Sequence, residues 1–381
     1  MEVMMKELGE IITGNTPSKK TEEFWNSEDI CFVKPDIIAD NGVNEIVDSN
    51  EYISEDARKK ARVVGKNSIF VTCIGSIGKI GIASDGEYAF NQQINAIIPN
   101  DRVQPKYLAY NLLFNKPRLV AIANAPVVPI INKSQFGEFT VNIETDIDRQ
   151  CEIVDVLDKL TQIIQQRNKE ISALDDLIKA RFVEMFGEGL KDDGKFEVRF
   201  ISEIGKVVSG ATPKTDVEEY WDGANPWITP AELSDESFIL YDSERKITDR
   251  GAKSCAVNLL PIGTVLLSSR APIGKVAIAG TEMYCNQGFK NIIPNDMINS
   301  IYLYELLKME TAYLNSLGRG ATFKEISKQI VENIRIKVPP IELQEQFAEF
   351  AKQVDKSKVV VQKALDEAQL LFDSLMQEYF G

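Results

Sequence analysis

Two long stretches of the chain place apolar residues at intervals of three and four. In the first stretch they run from Ile153 to Met185 without an intervening proline or glycine. The second stretch runs from Phe347 to Tyr379, and both are followed by Phe-Gly. This period is that of an amphipathic α-helix. Each stretch therefore predicts one helix of roughly 35 to 40 residues, about 50 to 60 Å long.

A solitary helix of that length cannot cover its own apolar stripe. We therefore expect the two helices to pair with each other as an antiparallel coiled coil. The alternative is that each helix packs only on its own globular domain, and the apolar pattern alone leaves that alternative open.

Before each of these stretches the pattern consists of short apolar runs separated by glycine-containing turns. Residues 68–72 and 264–268 are rich in β-branched and other apolar residues, and shorter runs follow them at 81–83 and 276–278. Such runs predict strands. Helical segments are expected near residues 105–113 and 301–314.

The strand-rich regions are two copies of one sequence. Residues 8–17 (LGEIITGNTP) return 196 residues later at 204–213 (IGKVVSGATP). Further pairs follow in the same order: Phe24-Trp25 and Tyr220-Trp221, Ile77-Gly78-Lys79 and Ile273-Gly274-Lys275, Asn91-Gln92 and Asn286-Gln287, and IIPND at 97–101 and 292–296. A period this long exceeds a solenoid unit and predicts two whole domains in tandem.

These patterns predict a mixed α/β (α+β) protein with five segments. They are a globular domain at 1–145, a long helix at 146–187, a polar glycine-rich linker at 188–196, a second globular domain at 197–340, and a second long helix at 341–381. With the helices antiparallel, the two domains would be related by a pseudo-two-fold axis.

Composition excludes several classes of enzyme. The chain has no histidine, which rules out histidine-based triads and removes the commonest metal ligand. Its five cysteines include no Cys-x-x-Cys pair, so neither a zinc site nor a disulfide framework is expected. The segment Gly75–Ile80 is too short for a phosphate-binding loop. We predict no catalytic residue, no metal site and no cofactor bound by this chain.

The remaining features concern compartment and charge. No apolar run is long enough to span a membrane and the start lacks a signal peptide, so we expect a cytoplasmic protein. The net charge is −14. Nucleic-acid binding would then depend on local basic groups such as those between Arg58 and Arg62, although such a cluster can also be an ordinary solvated face.

The ordered duplication of these motifs, with a glutamine near the start of each long helix (Gln150, Gln344), resembles the specificity subunit of Type I restriction-modification systems. The resemblance covers nearly the whole chain. It implies that each globular domain is a target recognition domain reading one half of a split double-stranded DNA sequence, and that the helices set the spacing. It also implies partners, namely two modification subunits that carry S-adenosylmethionine and restriction subunits that use ATP.

Candidate DNA-contacting residues follow from side-chain chemistry, since Arg and Lys suit guanine and phosphate whereas Asn and Gln suit adenine. In the first domain they are Lys34, Arg58, Lys59, Lys60, Thr72, Lys79, Gln92, Gln93 and Lys133. In the second they are Thr229, Lys253, Arg270, Lys275, Gln287, Lys290, Arg319, Thr322 and Lys324. Asn91 and Asn286 could instead cap turns, and Lys79 and Lys275 could brace the fold.

Positions that differ between the copies are candidates for different base preferences. Such differences are Ile74 against Arg270, Gln93 against Gly288, and Asn124 against Arg319. The loop at 318–324 is basic and glycine-rich, whereas the matching 123–129 is apolar and proline-stiffened, which puts an identical use of the two loops in doubt. The two halves are expected to recognise unlike sequences.

Two rival functions remain. A self-contained adenine methyltransferase would need an Asn/Asp-Pro-Pro-aromatic stretch to receive a flipped base, and the segments beginning at Asn124 and Asn225 are both defective as that motif. A protein-interaction scaffold that does not bind DNA is favoured by the acidic charge.

Overall fold

The chain contains two copies of one strand arrangement, as seen in a computed structural model that describes residues 1–123, 128–234, 237–319 and 324–381. These residues form two compact units. Unit 1 comprises Met1–Asn168 and Lys363–Gly381, and unit 2 comprises Lys169–Gln362. Each long helix thus contributes one part to each unit.

The elements alternate short strands with short helices until each long helix begins. Through the first long helix they are β1 (Glu2–Met4), α1 (Met5–Leu8), β2 (Gly9–Thr13), β3 (Ile30–Val33), β4 (Val43–Ile46), β5 (Tyr52–Ile53), β6 (Val63–Val64), β7 (Ile69–Thr72), β8 (Ile80–Ala83), β9 (Tyr88–Phe90), β10 (Ile94–Pro99), α2 (Pro105–Phe114), α3 (Lys116–Ile122), α4 (Lys133–Glu138), β11 (Thr140–Asn142) and α5 (Ile147–Phe186). The rest are β12 (Glu197–Phe200), α6 (Ile201–Ile204), β13 (Gly205–Ser209), β14 (Trp221–Ile228), β15 (Ile239–Leu240), β16 (Lys246–Ile247), α7 (Asp249–Lys253), β17 (Val265–Leu267), β18 (Val276–Ala279), β19 (Tyr284–Cys285), β20 (Lys290–Pro294), α8 (Ser300–Met309), α9 (Thr311–Leu317), α10 (Lys328–Glu332), β21 (Arg335–Val338) and α11 (Ile341–Phe380).

The main sheet has the same order in both units. It runs β2-β10-β7-β8-β4 in unit 1 and β13-β20-β17-β18-β15 in unit 2. The last strand of each sheet is parallel to its neighbour, and the other pairs are antiparallel. A smaller sheet accompanies it, β5-β3-β9-β6 in unit 1 and β16-β14-β19 in unit 2, together with a two-stranded ribbon, β1-β11 or β12-β21. The sequence repeat is therefore a repeat of topology.

The central strands are buried on both faces, which explains their nearly continuous apolar sequence. In β7, Ile69 and Val71 belong to one hydrophobic core and Phe70 to another. In β17, Val265 and Leu267 likewise belong to one hydrophobic core and Leu266 to another. Alternate side chains of a strand point to opposite faces, so each main sheet lies between two cores.

Both long helices were predicted from apolar spacing, and each is continuous over 40 residues. In unit 2 the end of α5 packs against the beginning of α11, where the rings of Phe182 and Phe347 are 5.3 Å apart. In unit 1 the beginning of α5 and the end of α11 share one core, which includes Leu157 and Phe380. Within each unit the order of these contacts is antiparallel. Because Phe182 packs in unit 2, α5 does not pack only on the repeat that precedes it.

A buried glutamine anchors the start of each long helix. Gln344 is fully buried; its Oε1 accepts from the Asn299 N–H at 2.8 Å, and its Nε2 donates to the carbonyl oxygens of Met297 (3.1 Å) and Pro339 (2.7 Å). Gln150 binds three backbone groups of unit 1 in the same manner. The amide thus satisfies polar groups that would otherwise be buried without partners.

Several elements differ from the expectation. The helix expected at 301–314 is two helices, α8 and α9, that meet at Glu310, whose side chain accepts from the Leu190 N–H at 2.9 Å. In unit 1 the corresponding break is at Asn115, before a helix with Pro117 in its first turn, where proline has no N–H to donate. The smaller sheet of each unit, with strands of two to eight residues, was not predicted either.

A carboxylate in unit 2 is buried where α5, α8 and α11 meet. Glu305 is 6% exposed, and burial raises its pKa to about 7. Asp175 and Asp355 add to the rise, whereas Lys308 and Lys358 oppose it. In unit 1 the equivalent residue of α2 is Tyr110, whose hydroxyl donates to Asp158 at 2.7 Å.

Replacing Gln344 with Leu should lower the free energy of unfolding by about 2 to 4 kcal/mol, because it leaves one N–H and two carbonyl groups without partners. Urea denaturation measures the loss. Gln346→Leu, on the exposed side of the same helix turn, is the control and should change stability by no more than about 0.5 kcal/mol. Equal losses in the two variants would contradict the assigned role of Gln344.

Replacing Glu305 with Gln should stabilise the chain at pH 8 and should have a smaller effect at pH 5.5. The folded-state pKa is above the ordinary 4.5, so the folded protein retains a proton that the unfolded chain loses, and stability falls as pH rises from 4.5 through about 7. The gain at pH 8 is at most about 3 kcal/mol. Urea denaturation at the two pH values measures it.

Tyr110→Phe is the matched control for that experiment. Burial raises the pKa of the Tyr110 phenol well above its usual range, so the hydroxyl does not titrate between pH 5.5 and 8. Its loss should have the same effect at both values. A Glu305→Gln effect that is independent of pH would show that Glu305 is ionised at both.

Candidate nucleic-acid interface

Two segments that recur in the sequence meet in each unit. A Cβ on Gly14 would lie 2.2 Å from the carbonyl oxygen of Asn91, and one on Gly210 would lie 2.0 Å from that of Asn286. Only glycine permits so close an approach of two backbone segments. The Gly-x-Thr-Pro turns (residues 14–17 and 210–213) are thereby held against the Asn-Gln turns (residues 91–93 and 286–288).

A side-chain hydrogen bond joins the same two turns. The Thr16 hydroxyl donates to Gln92 Oε1 at 2.8 Å, and Thr212 donates to Gln287 in the same way. Gln92 and Gln287 are exposed. Each unit therefore presents a glutamine at its surface whose position is fixed by the neighbouring turn.

The asparagines of these turns cap the local backbone. Asn91 Oδ1 accepts from the Gln93 N–H at 3.1 Å, and Asn286 Oδ1 accepts from the Gly288 N–H at 2.8 Å. This pattern is an Asx turn. It favours the structural role that the sequence had left open for both residues.

The paired lysines of the Ile-Gly-Lys segments also bind within the protein. Lys79 Nζ donates to the carbonyl oxygen of Pro35 at 3.3 Å and forms an ion pair with Asp40 at 2.8 Å. Lys275 Nζ donates to the Leu233 carbonyl oxygen at 2.8 Å. Thr72, another candidate, is fully buried, and its hydroxyl accepts from the Lys79 N–H at 2.9 Å. These contacts favour a role in the fold for all three.

The other candidates of unit 1 fall into two groups. Lys59, Lys60 and Lys133 are exposed, and Lys60 adjoins the Gly-x-Thr-Pro turn because the Asn15 side chain donates to its carbonyl oxygen at 2.5 Å. Gln93, the neighbour of Gln92, is half-buried.

Lys34 and Arg58 are ion-paired. Lys34 binds Glu51 at 2.6 Å, and this hydrogen bond raises the pKa of the lysine. Arg58 binds Glu55 at 2.6 Å and also Glu87. Glu55 and Glu87 thus partly neutralise the basic segment around Arg58.

In unit 2 three candidates converge on one acid that the sequence did not single out. Glu325 binds Arg270 Nε at 3.1 Å and Lys290 Nζ at 3.2 Å. Burial would raise the pKa of Glu325, but the hydrogen bonds from Lys290 and Arg270 outweigh it and hold the pKa below its ordinary value. Backbone hydrogen bonds of 3.1 and 3.0 Å join Arg319 to the same residue.

Two of these residues border a groove. Arg319 and Glu325 line a cavity of about 790 Å³ together with Tyr313 and Gln329. Lys324 is exposed beside them, whereas Lys290 is only 7% exposed. Thr322 and Asn124 lie outside the described residues.

The remaining candidates of unit 2 are more scattered. The Thr229 hydroxyl donates to Glu232 at 3.1 Å at the start of a short 3-10 helix. Lys253 is exposed at the end of α7. Among the described residues, neither forms a hydrogen bond or an ion pair with Glu325.

Sequence reasoning missed a stacked cation in each unit. The Arg245 guanidinium lies 3.8 Å from the Trp221 ring centroid and 5.4 Å from that of Trp227. In unit 1, Lys19 Nζ lies 4.6 Å from the Trp25 centroid. The recurring aromatic pair was visible in the sequence, but its cationic partner stands at unrelated positions in the two copies.

Metal and thiol chemistry find little support in the part of the chain that the structure describes. No group of three or more potential metal ligands occurs there. Burial raises the pKa of the Cys73 and Cys285 thiols to about 12, so both remain protonated near neutral pH. None of the described helices is long and apolar enough to cross a membrane.

Comparison with known proteins agrees with this architecture. A family model described as the Type I restriction modification DNA specificity domain matches residues 1–173 and 193–368. The Type I restriction enzyme MjaIX specificity subunit of Methanocaldococcus jannaschii is 42% identical over 179 residues, which are 45% of this chain and 41% of that protein. The putative type I restriction enzyme MjaX specificity subunit of the same organism is 25% identical over 342 residues, 81% and 78% of the two chains.

Solved structures share the fold. The crystal structure of a Type I restriction-modification S subunit from M. genitalium has a TM-score of 0.64 at 16% identity and covers 100% of this chain and 96% of that one. A chain from a study of complex assembly and conformational transition of the type I R-M system has a TM-score of 0.58 at 17% identity, covering 100% and 97%. Because the family model matches both repeats, the chain belongs to the family of Type I restriction-modification DNA specificity subunits.

Proposed function

We propose that this chain reads a two-part, asymmetric sequence in double-stranded DNA, with one part contacted by each unit. One observation carries the proposal: both units build the same junction of two turns, yet they surround it with different exposed side chains. A shared frame with different exposed groups suits two readers with different base preferences.

The DNA-contacting surface is proposed to consist of the candidates whose polar ends are exposed. In unit 1 these are Lys59, Lys60, Gln92 and Lys133, and in unit 2 they are Lys253, Arg270, Gln287, Arg319 and Lys324. Local cations of this kind can bind phosphates although the chain as a whole is acidic, because phosphate binding depends on nearby charge. The candidates engaged within the protein, such as Thr72 and Lys79, would then support these groups.

The long helices are proposed to set the distance between the two parts of the DNA target. Each has 40 residues and would be about 60 Å long if straight. Each also contributes side chains to the cores of both units. The accepted gap in the DNA would therefore depend on helix length.

Catalysis is proposed to reside in other chains. Two modification subunits would bind this chain and supply S-adenosylmethionine, and restriction subunits, where present, would use ATP. The protein itself would contribute target choice without a cofactor of its own, and would act in the cytoplasm. Mapping of methylated bases by long-read sequencing, in a host that carries this chain and its modification subunit, tests the proposal. A split target with a fixed gap is expected, and methylation without sequence preference would refute it.

Arg319→Ala should weaken recognition of one part of the target and spare the other. Loss of one base or phosphate contact is expected to cost about 1 to 3 kcal/mol. Binding of the complex to DNA with either part scrambled measures the effect. Arg335→Ala, which removes an exposed arginine from the β12-β21 ribbon, is the control. A loss spread evenly over both parts would contradict the assignment of Arg319 to one reader.

Insertion of seven residues into both long helices should lengthen the accepted gap. The insertions are placed after Asn168 and after Gln362, and seven residues preserve the repeat of the apolar stripe. At 1.5 Å per residue they add about 10 Å, or about three base pairs of DNA. The methylated sequence gives the new gap. Insertion into α5 alone is the control and should impair DNA binding. An unchanged gap in the double variant would exclude a role of the helices in setting the gap.

A further inference from the structure

Glu325 connects a buried lysine with an exposed arginine. One carboxylate oxygen binds Lys290 Nζ at 3.2 Å and the other binds Arg270 Nε at 3.1 Å. The Lys290 side chain is 9% exposed, whereas that of Arg270 is 48% exposed. Lys290 also donates to the Ser269 hydroxyl at 3.3 Å. The carboxylate is therefore held from inside the protein and directs its second oxygen to the surface.

We propose that Glu325 is a positioning residue that orients Arg270 to read a guanine in the part of the target bound by unit 2. The inference rests on the proposed function, because it assumes that unit 2 contacts DNA. Lys290, in this arrangement, holds Glu325 in place and does not itself contact DNA.

The geometry of the guanidinium supports guanine as the target. Glu325 engages Nε of Arg270, and neither terminal nitrogen donates to another of the residues that the structure describes. Two parallel N–H groups of an arginine match O6 and N7 of guanine in the major groove. A guanidinium already held at Nε loses less conformational freedom on binding than a free side chain does.

The charge of the cluster also permits approach to DNA. A lone carboxylate at the surface would repel phosphates. Here two cations surround one anion, so the cluster of Arg270, Lys290 and Glu325 retains one positive charge. Because Lys290 neutralises Glu325, the carboxylate can orient Arg270 without making the surface acidic.

Among the described residues of unit 1, the equivalent place does not have this arrangement. The backbone bridge between Arg270 and Glu325 corresponds to a bridge between Ile74 and Ile130. Asn95 of β10 pairs with Thr13 of β2, and Lys290 of β20 pairs with Ser209 of β13. Asn95 therefore occupies in unit 1 the position that Lys290 occupies in unit 2. Two isoleucines offer no hydrogen-bond donor in their side chains, so guanine reading by this route is confined to unit 2.

A double-mutant cycle on Arg270→Ala and Glu325→Gln tests the inference. The chain in complex with its modification subunits selects DNA from a library randomised over the second part of the target. Arg270→Ala should reduce the preference for guanine at one position by about 5- to 140-fold. Glu325→Gln should reduce it at the same position, and should cause no further loss in the Arg270→Ala background. Additive losses would overturn the positioning role.

Further variants separate base reading from phosphate binding and from misfolding. Arg270→Lys keeps the charge but lacks the planar pair of donors, so it should weaken the guanine preference and retain affinity for non-specific DNA. Uniform weakening over all sequences in Arg270→Ala, with a salt slope reduced by about one, would assign Arg270 to a phosphate and overturn the inference.

The double variant Lys290→Met/Glu325→Gln removes both charges together and avoids a buried ammonium without a partner. It should match Glu325→Gln in base preference while its melting temperature stays near that of the unmodified chain. Glu332→Ala breaks the ion pair with Lys328 in the same unit and serves as the control. If the unmodified complex selects a split target but no variant alters its base preference, the inference fails and the proposed function stands. If the unmodified complex shows no sequence preference, both fail.

Discussion

The close backbone contact at Gly14 and Gly210 is the constraint on which the candidate interface depends. In both units a carbonyl oxygen occupies the space that a side chain would need. The contact fixes the Asn-Gln turn, and the next residues of that turn accept hydrogen bonds from the strand ends at Cys73 and Ser269. Ile74 and Arg270 directly follow these strand ends, so their backbones occupy equivalent positions in the two units. Their side chains can therefore differ without altering the shared arrangement of turns.

Acidic residues shape which cations remain accessible. The chain carries 57 acidic and 43 basic residues, and several acids lie directly beside candidate cations, as Glu51 does beside Lys34 and Glu87 beside Arg58. Paired cations of this kind are less available to phosphates than exposed ones such as Lys59. The net charge is thus compatible with a small basic surface, because the excess of acid is distributed elsewhere and partly used to orient side chains.

The sequence reveals those features that repeat along the chain or follow a helical period. The long helices, the central strands and the two-domain plan belong to this class, because apolar spacing determines them locally. The hydrogen bond between Glu310 and Leu190 and the ion pairs of Glu325 with Lys290 and Arg270 join residues that are distant in sequence. Such pairings arise only when strands assemble, so neither composition nor spacing could have indicated them.

The position of Phe380 in the core of unit 1 affects how the protein is made. This residue is 3% exposed, and its ring lies 5.1 Å from that of Tyr107. A ribosome therefore finishes the first repeat long before the chain that completes its core has been synthesised. The surface around Tyr107 and Phe114 stays uncovered during translation of the second repeat, and a nascent chain in this state is exposed to aggregation and to chaperones.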